Sequence, residues 1–200
     1  MNKNLSTTDT IPQKYSKGTP GNVAKAGYFY FATSPNSKEG LAIVCGGYEE
    51  CQQDFCVSRK NYPYSFIVYT TEGQGHLQLD SKKIKLKKGV LSGCLAGASH
   101  TYQSDAKSPM KQSFITFLGS DAIDLFKKSH LLQHGAIELN RPDMALNIFH
   151  TILRVAADRP RYAQEICCNY LRLLLLQSSS AIVSQKKCYQ KQLMRKAEDT

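Results

Sequence analysis

The sequence predicts a mainly β protein that ends in a pair of helices, and three observations carry that expectation. From Gly27 to about Gly119, short apolar runs are punctuated by turn residues, and no segment sustains a helical period. The runs are joined by tight turns, which suits a small antiparallel barrel or jelly roll. After Asp121 the pattern changes to apolar stripes at helical spacing. With 200 residues, 42% of them hydrophobic, the chain has enough material for one domain of ordinary size plus an appendage.

Residues 1–26 are rich in Ser, Thr, Lys, Asn and Pro and have no period, so a flexible arm is expected there. The fold proper should begin near YFYFA, with the barrel spanning residues 27–135. Its clearest strand pair is SFIVYTTEGQGHLQL. Phe66 to Thr70 form one strand, Glu72 to Gly75 the turn, and His76 and Gln78 alternate with Leu77 and Leu79 on the return. In SKKIKLKKG, Ile84 and Leu86 point inward, while Lys83, Lys85 and Lys87 make a solvated face that discourages edge pairing. QSFITFLG is apolar on both faces, with Phe114, Thr116 and Leu118 opposite Ser113, Ile115 and Phe117, and should be covered on both sides.

Residues 136–180 read as helical. RPDMALNIFHTILRVAADRP has Pro142 placed for a first turn and a stripe of Ala145, Ile148, Phe149, Ile152, Val155 and Ala156, with Pro160 as a stop. RYAQEICCNYLRLLLLQ keeps a polar line on Arg161, Glu165 and Arg172, but Leu173 to Leu176 cover almost every direction. Such a helix needs cover on two sides. A partner subunit is expected on one of them, with a fully intramolecular core as the alternative. Residues 181–200, polar and basic, read as a linker.

The formal charge of +10 is spread over the N-terminus, the Lys-rich strand and the tail, so it offers weak, sequence-independent attraction to nucleic acid at most. The polar start contains no secretory apolar core, and no apolar run reaches the roughly 18 residues needed to span a bilayer. A cytoplasmic location is expected. Seven cysteines, an odd number without an export signal, point to reduced thiols rather than a disulfide framework.

GVLSGCLAGASHTYQS, with the lone His100, raises the question of a metal. A catalytic metal takes about three protein ligands and an open position, and one histidine cannot supply them. Cys45, Cys51, Cys56 and Cys94 have spacings unlike a structural zinc site, and small buried side chains are their plainer role. Asp54 and Asp80 sit in no catalytic motif. No catalytic residue, metal or cofactor is therefore expected.

The succession GxGxLxL and then G-x5-L-x-G-x2-H resembles the cupin family. Gly89, Gly97 and His100 match its second metal motif, but Leu95 replaces a proline and Ser104 an asparagine. The first motif has no counterpart: RKNYPYSFIVYTTEGQG contains no histidine, and Phe66 falls near the position of the glutamate. A metal-dependent cupin isomerase or dioxygenase is the alternative reading.

From Arg59 to Gly119 the order of motifs is similar to the N-terminal effector-binding domain of AraC-type transcription regulators, and PDMALNIFHTIL and CCNYLRLLLLQ resemble that family's dimerisation helices. The resemblance covers about residues 40 to 198 and implies a cupin-like barrel that binds a small-molecule effector, a sugar in some members, and a homodimer formed through the helices. It places Arg59, Tyr102, Gln112 and Phe114 toward the effector and Cys45 at the pocket edge. Phe114 or Tyr64 would stack on a sugar's apolar face, and the arm would close the pocket. His100 is then a neutral, hydrogen-bonded barrel residue, with direct effector contact as its alternative. For the others the plain alternatives are a surface ion pair for Arg59, core packing for Phe114 and a barrel plug for Tyr102. KAEDT resembles the linker into a paired helix-turn-helix DNA-binding unit that lies outside these 200 residues. Either that unit follows in the natural chain, or the domain is a stand-alone sensor.

Overall fold

The computed structural model describes residues 22–32 and 40–179, so the expected linker and most of the expected arm lie outside the described residues. In chain order the strands are β1 (Val23–Tyr30), β2 (Ala42–Cys51), β3 (Cys56–Arg59), β4 (Ser65–Glu72), β5 (Gln74–Leu79), β6 (Lys82–Lys87), β7 (Val90–Cys94), β8 (His100–Ser104), β9 (Lys111–Leu118) and β10 (Ala136–Glu138). The helices are α1 (Asp121–Lys128), α2 (Leu131–His134), α3 (Pro142–Asp158) and α4 (163–179). Residues 23–26 of the expected arm belong to β1.

Two antiparallel sheets, ordered β1-β2-β9-β4-β7-β10 and β3-β8-β5-β6, enclose the barrel. Phe66, Val68, Val90 and Cys94 of the first sheet pack against Leu77, Leu86 and Tyr102 of the second. The opposite face of the six-stranded sheet carries Ile43, Ile67, Tyr69, Leu91, Ile115 and Phe117, and this face is where the helices dock. The fold is thus mainly β with C-terminal helices, as the sequence predicts.

The strand pair read in SFIVYTTEGQGHLQL is corrected. β4 pairs with β7 and β9, whereas β5 pairs with β6 and β8, so the turn at Gly73 carries the chain from one sheet to the other. A strand buried along six consecutive residues, Ser65 to Thr70, needs a neighbour on each side, and a local hairpin supplies only one. β10 is a further departure: it sits inside the stretch read as helical and pairs with β7. On β6, Ile84 and Leu86 turn inward and the lysines outward at the edge of the four-stranded sheet, as expected.

α3 starts with Pro142 in its first turn and ends at Asp158, where Arg159 takes a left-handed conformation. Its buried residues are Ala145, Ile148, Phe149, Ile152 and Ala156. Phe149 stacks on Tyr69 at 5.8 Å, and the Tyr69 hydroxyl donates to the Pro142 carbonyl at 3.1 Å. α4 buries Cys167, Cys168, Leu171, Leu174 and Leu175 in the same core. It is tied to the barrel by Arg172, whose guanidinium holds Asp121 of α1 at 2.9 Å, and by Gln164, which donates to the Ile43 carbonyl at 3.3 Å. Among the described residues, no helix is long and apolar enough to cross a membrane.

The sheet-to-sheet turn can be tested through its glycine. Gly73 has φ +67°, and a Cβ there would lie 2.0 Å from the Pro109 carbonyl oxygen; Gly40 has the same φ with nothing within 4 Å. Gly73→Ala is expected to cost more than about 2 kcal/mol in urea denaturation and Gly40→Ala about 1, the difference being the backbone clash. Equal losses would mean that the close approach does not constrain the turn.

Candidate functional site

Alternation along the strands sends one set of side chains into the barrel, and many of them are polar. On β9 these are Gln112, Phe114 and Thr116; on β4, Thr70 follows Phe66 and Val68; on β7, Ser92 precedes Cys94; on β8, His100 precedes Tyr102. A bulge between Ile43 and Cys45 resets the alternation of β2, so Ile43 faces the helices while Cys45 and Glu49 face inward. Phe114 is only partly buried although β9 lies in the middle of its sheet, and the Tyr28 ring of β1 lies 5.9 Å from it.

Two groups of polar side chains lie along this interior. The first surrounds Arg59, the last residue of β3, which pairs with His100 of β8. Its guanidinium lies 4.8 Å above the Tyr62 ring. His100 is 3% exposed and packed among rings, with Phe66 at 4.5 Å, Tyr62 at 5.6 Å and Tyr102 at 6.1 Å between centroids. Burial, reinforced by the Arg59 charge, lowers its pKa to about 4, so it is neutral at pH 7. Its Nδ1 lies 3.8 Å from the Cys94 sulfur, and its Nε2 has no partner. Cys94 and Cys45 are held as thiols, pushed up by burial to about 12 and about 11.

The second group centres on Glu49, which the sequence reading did not single out. Its carboxylate accepts hydrogen bonds from the Tyr28 hydroxyl at 2.9 Å and the Gln112 amide at 2.7 Å, and burial raises its pKa above the ordinary carboxylate value. Beside it, Gln112 Oε1 and Thr70 Oγ1 are buried without a partner. Thr70 and Gln112 face each other directly across β4 and β9.

Of the expected site residues, Arg59, His100 and Cys45 lie in the first group and Gln112 in the second, with Phe114 between them on β9. Tyr102 lies deeper. It is 3% exposed, and its hydroxyl shares a hydrogen bond with Ser92 Oγ at 3.0 Å, so its polar end is already satisfied. Tyr64 is partly buried at the Arg59 end, 5.6 Å from Tyr62. The Arg59 ion pair considered as an alternative has no counterpart among the described residues. Nor, among them, do three His, Cys, Asp or Glu side chains gather as a metal would require.

The profile of one protein family, the AraC-like ligand binding domain, matches residues 44–169, well over half of the chain. The chain belongs to that family. The matched stretch runs from β2 into α4 and so contains nine of the ten strands and most of the helical layer. No curated protein matches the chain. Among solved structures it is similar to a cupin 2 conserved barrel domain protein from Leptotrichia buccalis, at 12% identity and a TM-score of 0.37, over 50% of this chain and 43% of that one. TT1209 from Thermus thermophilus gives 15% identity and 0.38, over 50% of this chain and 90% of that one. YhaK from Escherichia coli gives 10% and 0.40, over 48% and 46%. The AraC-like domain thus spans less than half the length of the first and third of these proteins.

The environment of His100 has a consequence for acid stability. Its folded pKa of about 4 lies below the ordinary 6.5, so the unfolded chain takes up the proton first. The contribution is present above about pH 6.5 and is lost as pH falls toward 4, by up to about 3 kcal/mol. Urea midpoints at pH 7 and pH 4.5 should fall further for the native sequence than for His100→Gln. The raised carboxyl of Glu49 acts in the opposite sense but is common to both proteins; parallel pH profiles would rule out the buried neutral imidazole.

Proposed function

We propose that this AraC-like domain is the effector-sensing and dimerisation part of a transcription regulator. A small polyhydroxylated molecule of the sugar class binds inside the barrel, and a helix-turn-helix unit outside these residues contacts DNA. The observation that carries the reading is the set of buried polar atoms without partners in the barrel, His100 Nε2, Gln112 Oε1 and Thr70 Oγ1. Leaving such groups unpaired costs about 1–3 kcal/mol each, and a ligand with several hydroxyls would satisfy them once the interior opens to admit it, since none of the three atoms is accessible in the closed barrel. The partly buried Phe114 offers the apolar face on which a sugar ring stacks.

Dimerisation finds its support on α4. Tyr162, in the turn just before the helix, and Ile166, Asn169, Leu173 and Leu176 on it follow one another at alternating steps of four and three residues, the spacing of a coiled-coil seam. Tyr162 is 57% exposed, Leu173 41% and Leu176 40%, while the opposite face of the helix is packed in the core. A second copy would cover this stripe. Control of DNA binding further requires that the effector bind two states of the domain unequally.

Two measurements test these parts separately. Thermal-shift screening against monosaccharides and polyols should find a ligand that stabilises the protein, by about 2.7 kcal/mol at a hundred times its Kd, with the gain abolished in Arg59→Ala. No gain from any of them would remove a sugar-class effector. Light scattering should give a dimer that dissociates when Leu173→Asp and Leu176→Asp are combined; a monomer in both cases would remove the seam.

A further inference from the structure

The two sheets differ in charge. The strands β3, β8, β5 and β6 contain no Asp or Glu, whereas the six-stranded sheet carries Glu49, Glu50, Glu72 and Glu138. Register across the smaller sheet sets its outward side chains in rows. One row runs Cys56, Gln103, His76 and Lys85, the next Ser58, Thr101, Gln78 and Lys83, and Gln74 with Lys87 begins a third. The alternate residues Leu77, Leu86 and Tyr102 are buried in the barrel, so these rows lie on the solvent side. The face measures about 14 Å across four strands and about 14 Å from Lys83 to Lys87. Carboxylates stand only at its margins: Asp80 in the turn between β5 and β6, Asp54 before β3, where it is held by Asn22, and Asp105 after β8, where it accepts from the Lys107 and Ser108 amides.

Lys87 pairs with Glu138 at the edge of the other sheet, at 2.9 Å. Lys83 and Lys85 are exposed and, among the described residues, have no carboxylate at ion-pair distance. Lysines on β6 protect an edge strand from pairing with another chain. That need ends at β6 and does not account for the lack of acids on β5, β8 and β3, where a surface of mixed sign would set carboxylates across from the lysines.

The chemistry of the face selects among anionic partners. Its rows hold no Phe, Tyr, Leu or Ile to enter a lipid surface or to anchor a protein. A single imidazole, His76, is no platform for the successive bases of a single strand. Ammonium groups flanked by amide and hydroxyl donors are what hold the phosphate and sugar oxygens of a duplex. Lys83, Lys85 and Lys87 recur about 7 Å apart along the strand, close to the separation of successive phosphates. The helices dock beyond the six-stranded sheet, so nothing that covers α4 covers this face.

We propose that the outer face of the four-stranded sheet binds the phosphate backbone of a nucleic-acid duplex, with Lys83 and Lys85 as its principal contacts and Lys87 completing the row. Phosphate contacts carry no sequence information, so the binding is independent of base sequence. The inference stands apart from the effector reading above: it needs neither a ligand in the barrel nor any unit beyond residue 200.

Fluorescence anisotropy of a short labelled DNA duplex of mixed sequence, titrated with the 200-residue chain over a range of salt, tests it. The native chain should bind with a Kd of about 1–100 μM at physiological salt. Lys83→Gln combined with Lys85→Gln should weaken binding about tenfold and reduce the slope of log K against log salt by about 1.8. Lys127→Gln combined with Arg154→Gln removes the same charge from exposed positions on the helical layer and should leave both nearly unchanged. Lys83→Arg combined with Lys85→Arg should bind like the native chain. Gln103→Glu, which sets a carboxylate in the middle of the face and leaves the edge lysines in place, should weaken binding several-fold; circular dichroism checks that each variant folds. No binding to the duplex, or affinity and salt slope that survive the loss of Lys83 and Lys85, overturns the proposal, and equal losses in the helical-layer variant reduce it to an effect of net charge. Tighter binding to single-stranded DNA, to poly-glutamate or to phosphatidylserine vesicles than to the duplex overturns the choice of partner.

Discussion

The structure depends on one strand being covered on both faces. β9 lies between β2 and β4 in the six-stranded sheet, with the helices on one side and the barrel interior on the other. Its alternation therefore serves two cores at once. Ile115 and Phe117 join the apolar layer beneath α1, α3 and α4, while Gln112, Phe114 and Thr116 line the barrel. Sliding the strand by one residue would place a glutamine and a threonine among the leucines of α4, and Ile115 against the Glu49 cluster. The two layers thus hold each other in register.

The same constraint explains why the interior can be polar. The helical layer already buries Phe117, Phe126, Phe149, Ile43, Ile67, Leu91, Leu131 and Ile152 almost completely, so the hydrophobic driving force is met there. The barrel then tolerates a neutral histidine, a partly buried glutamate and partnerless hydroxyl and amide oxygens, each of which works against folding. Unsatisfied groups gathered in the barrel from both sheets, with a compact apolar core on the far side of the six-stranded sheet, mark the interior as the part of the molecule not optimised for stability.

Much of the fold was legible because its signals were local. The lysines of β6 alternate with inward apolar residues at a sheet edge, Pro142 opens α3, and the apolar content of QSFITFLG on both faces anticipated a central strand. What escaped is non-local. The chemistry of EGQG is the same for a hairpin as for a turn between sheets, and only the partners of β4, some 20 and 45 residues further on, distinguish the two. The candidate site shows the same division. Arg59, Gln112, Phe114 and His100 could be carried over from a resemblance. Glu49 could not, because in YEEC nothing separates it from Glu50. The difference is made by the bulge at Val44: if the same residues ran in strict alternation from Ile43, Glu50 would turn inward and Glu49 would lie among the helices.

That bulge also joins the two halves of the molecule. On its inner side, Cys45 lies opposite Thr116 at the Arg59 end of the barrel. On its outer side, the Ile43 carbonyl accepts the hydrogen bond from Gln164, one turn before the first cysteine of α4. α4 is clamped a second time where Arg172 meets Asp121, the first residue of α1, and α1 follows β9 after two residues. Both fastenings of the helix are therefore continuous, through the backbone, with the two strands that carry Glu49, Gln112 and Thr116. A ligand drawing these strands together would move the points from which α4 hangs, and the stripe of Tyr162, Leu173 and Leu176 would move with them. Regular strands on either side, locked by ladder hydrogen bonds, resist such a shift. An irregular step of one residue is where a sheet gives most readily, and in this chain it stands between the polar groups of the barrel interior and the helix.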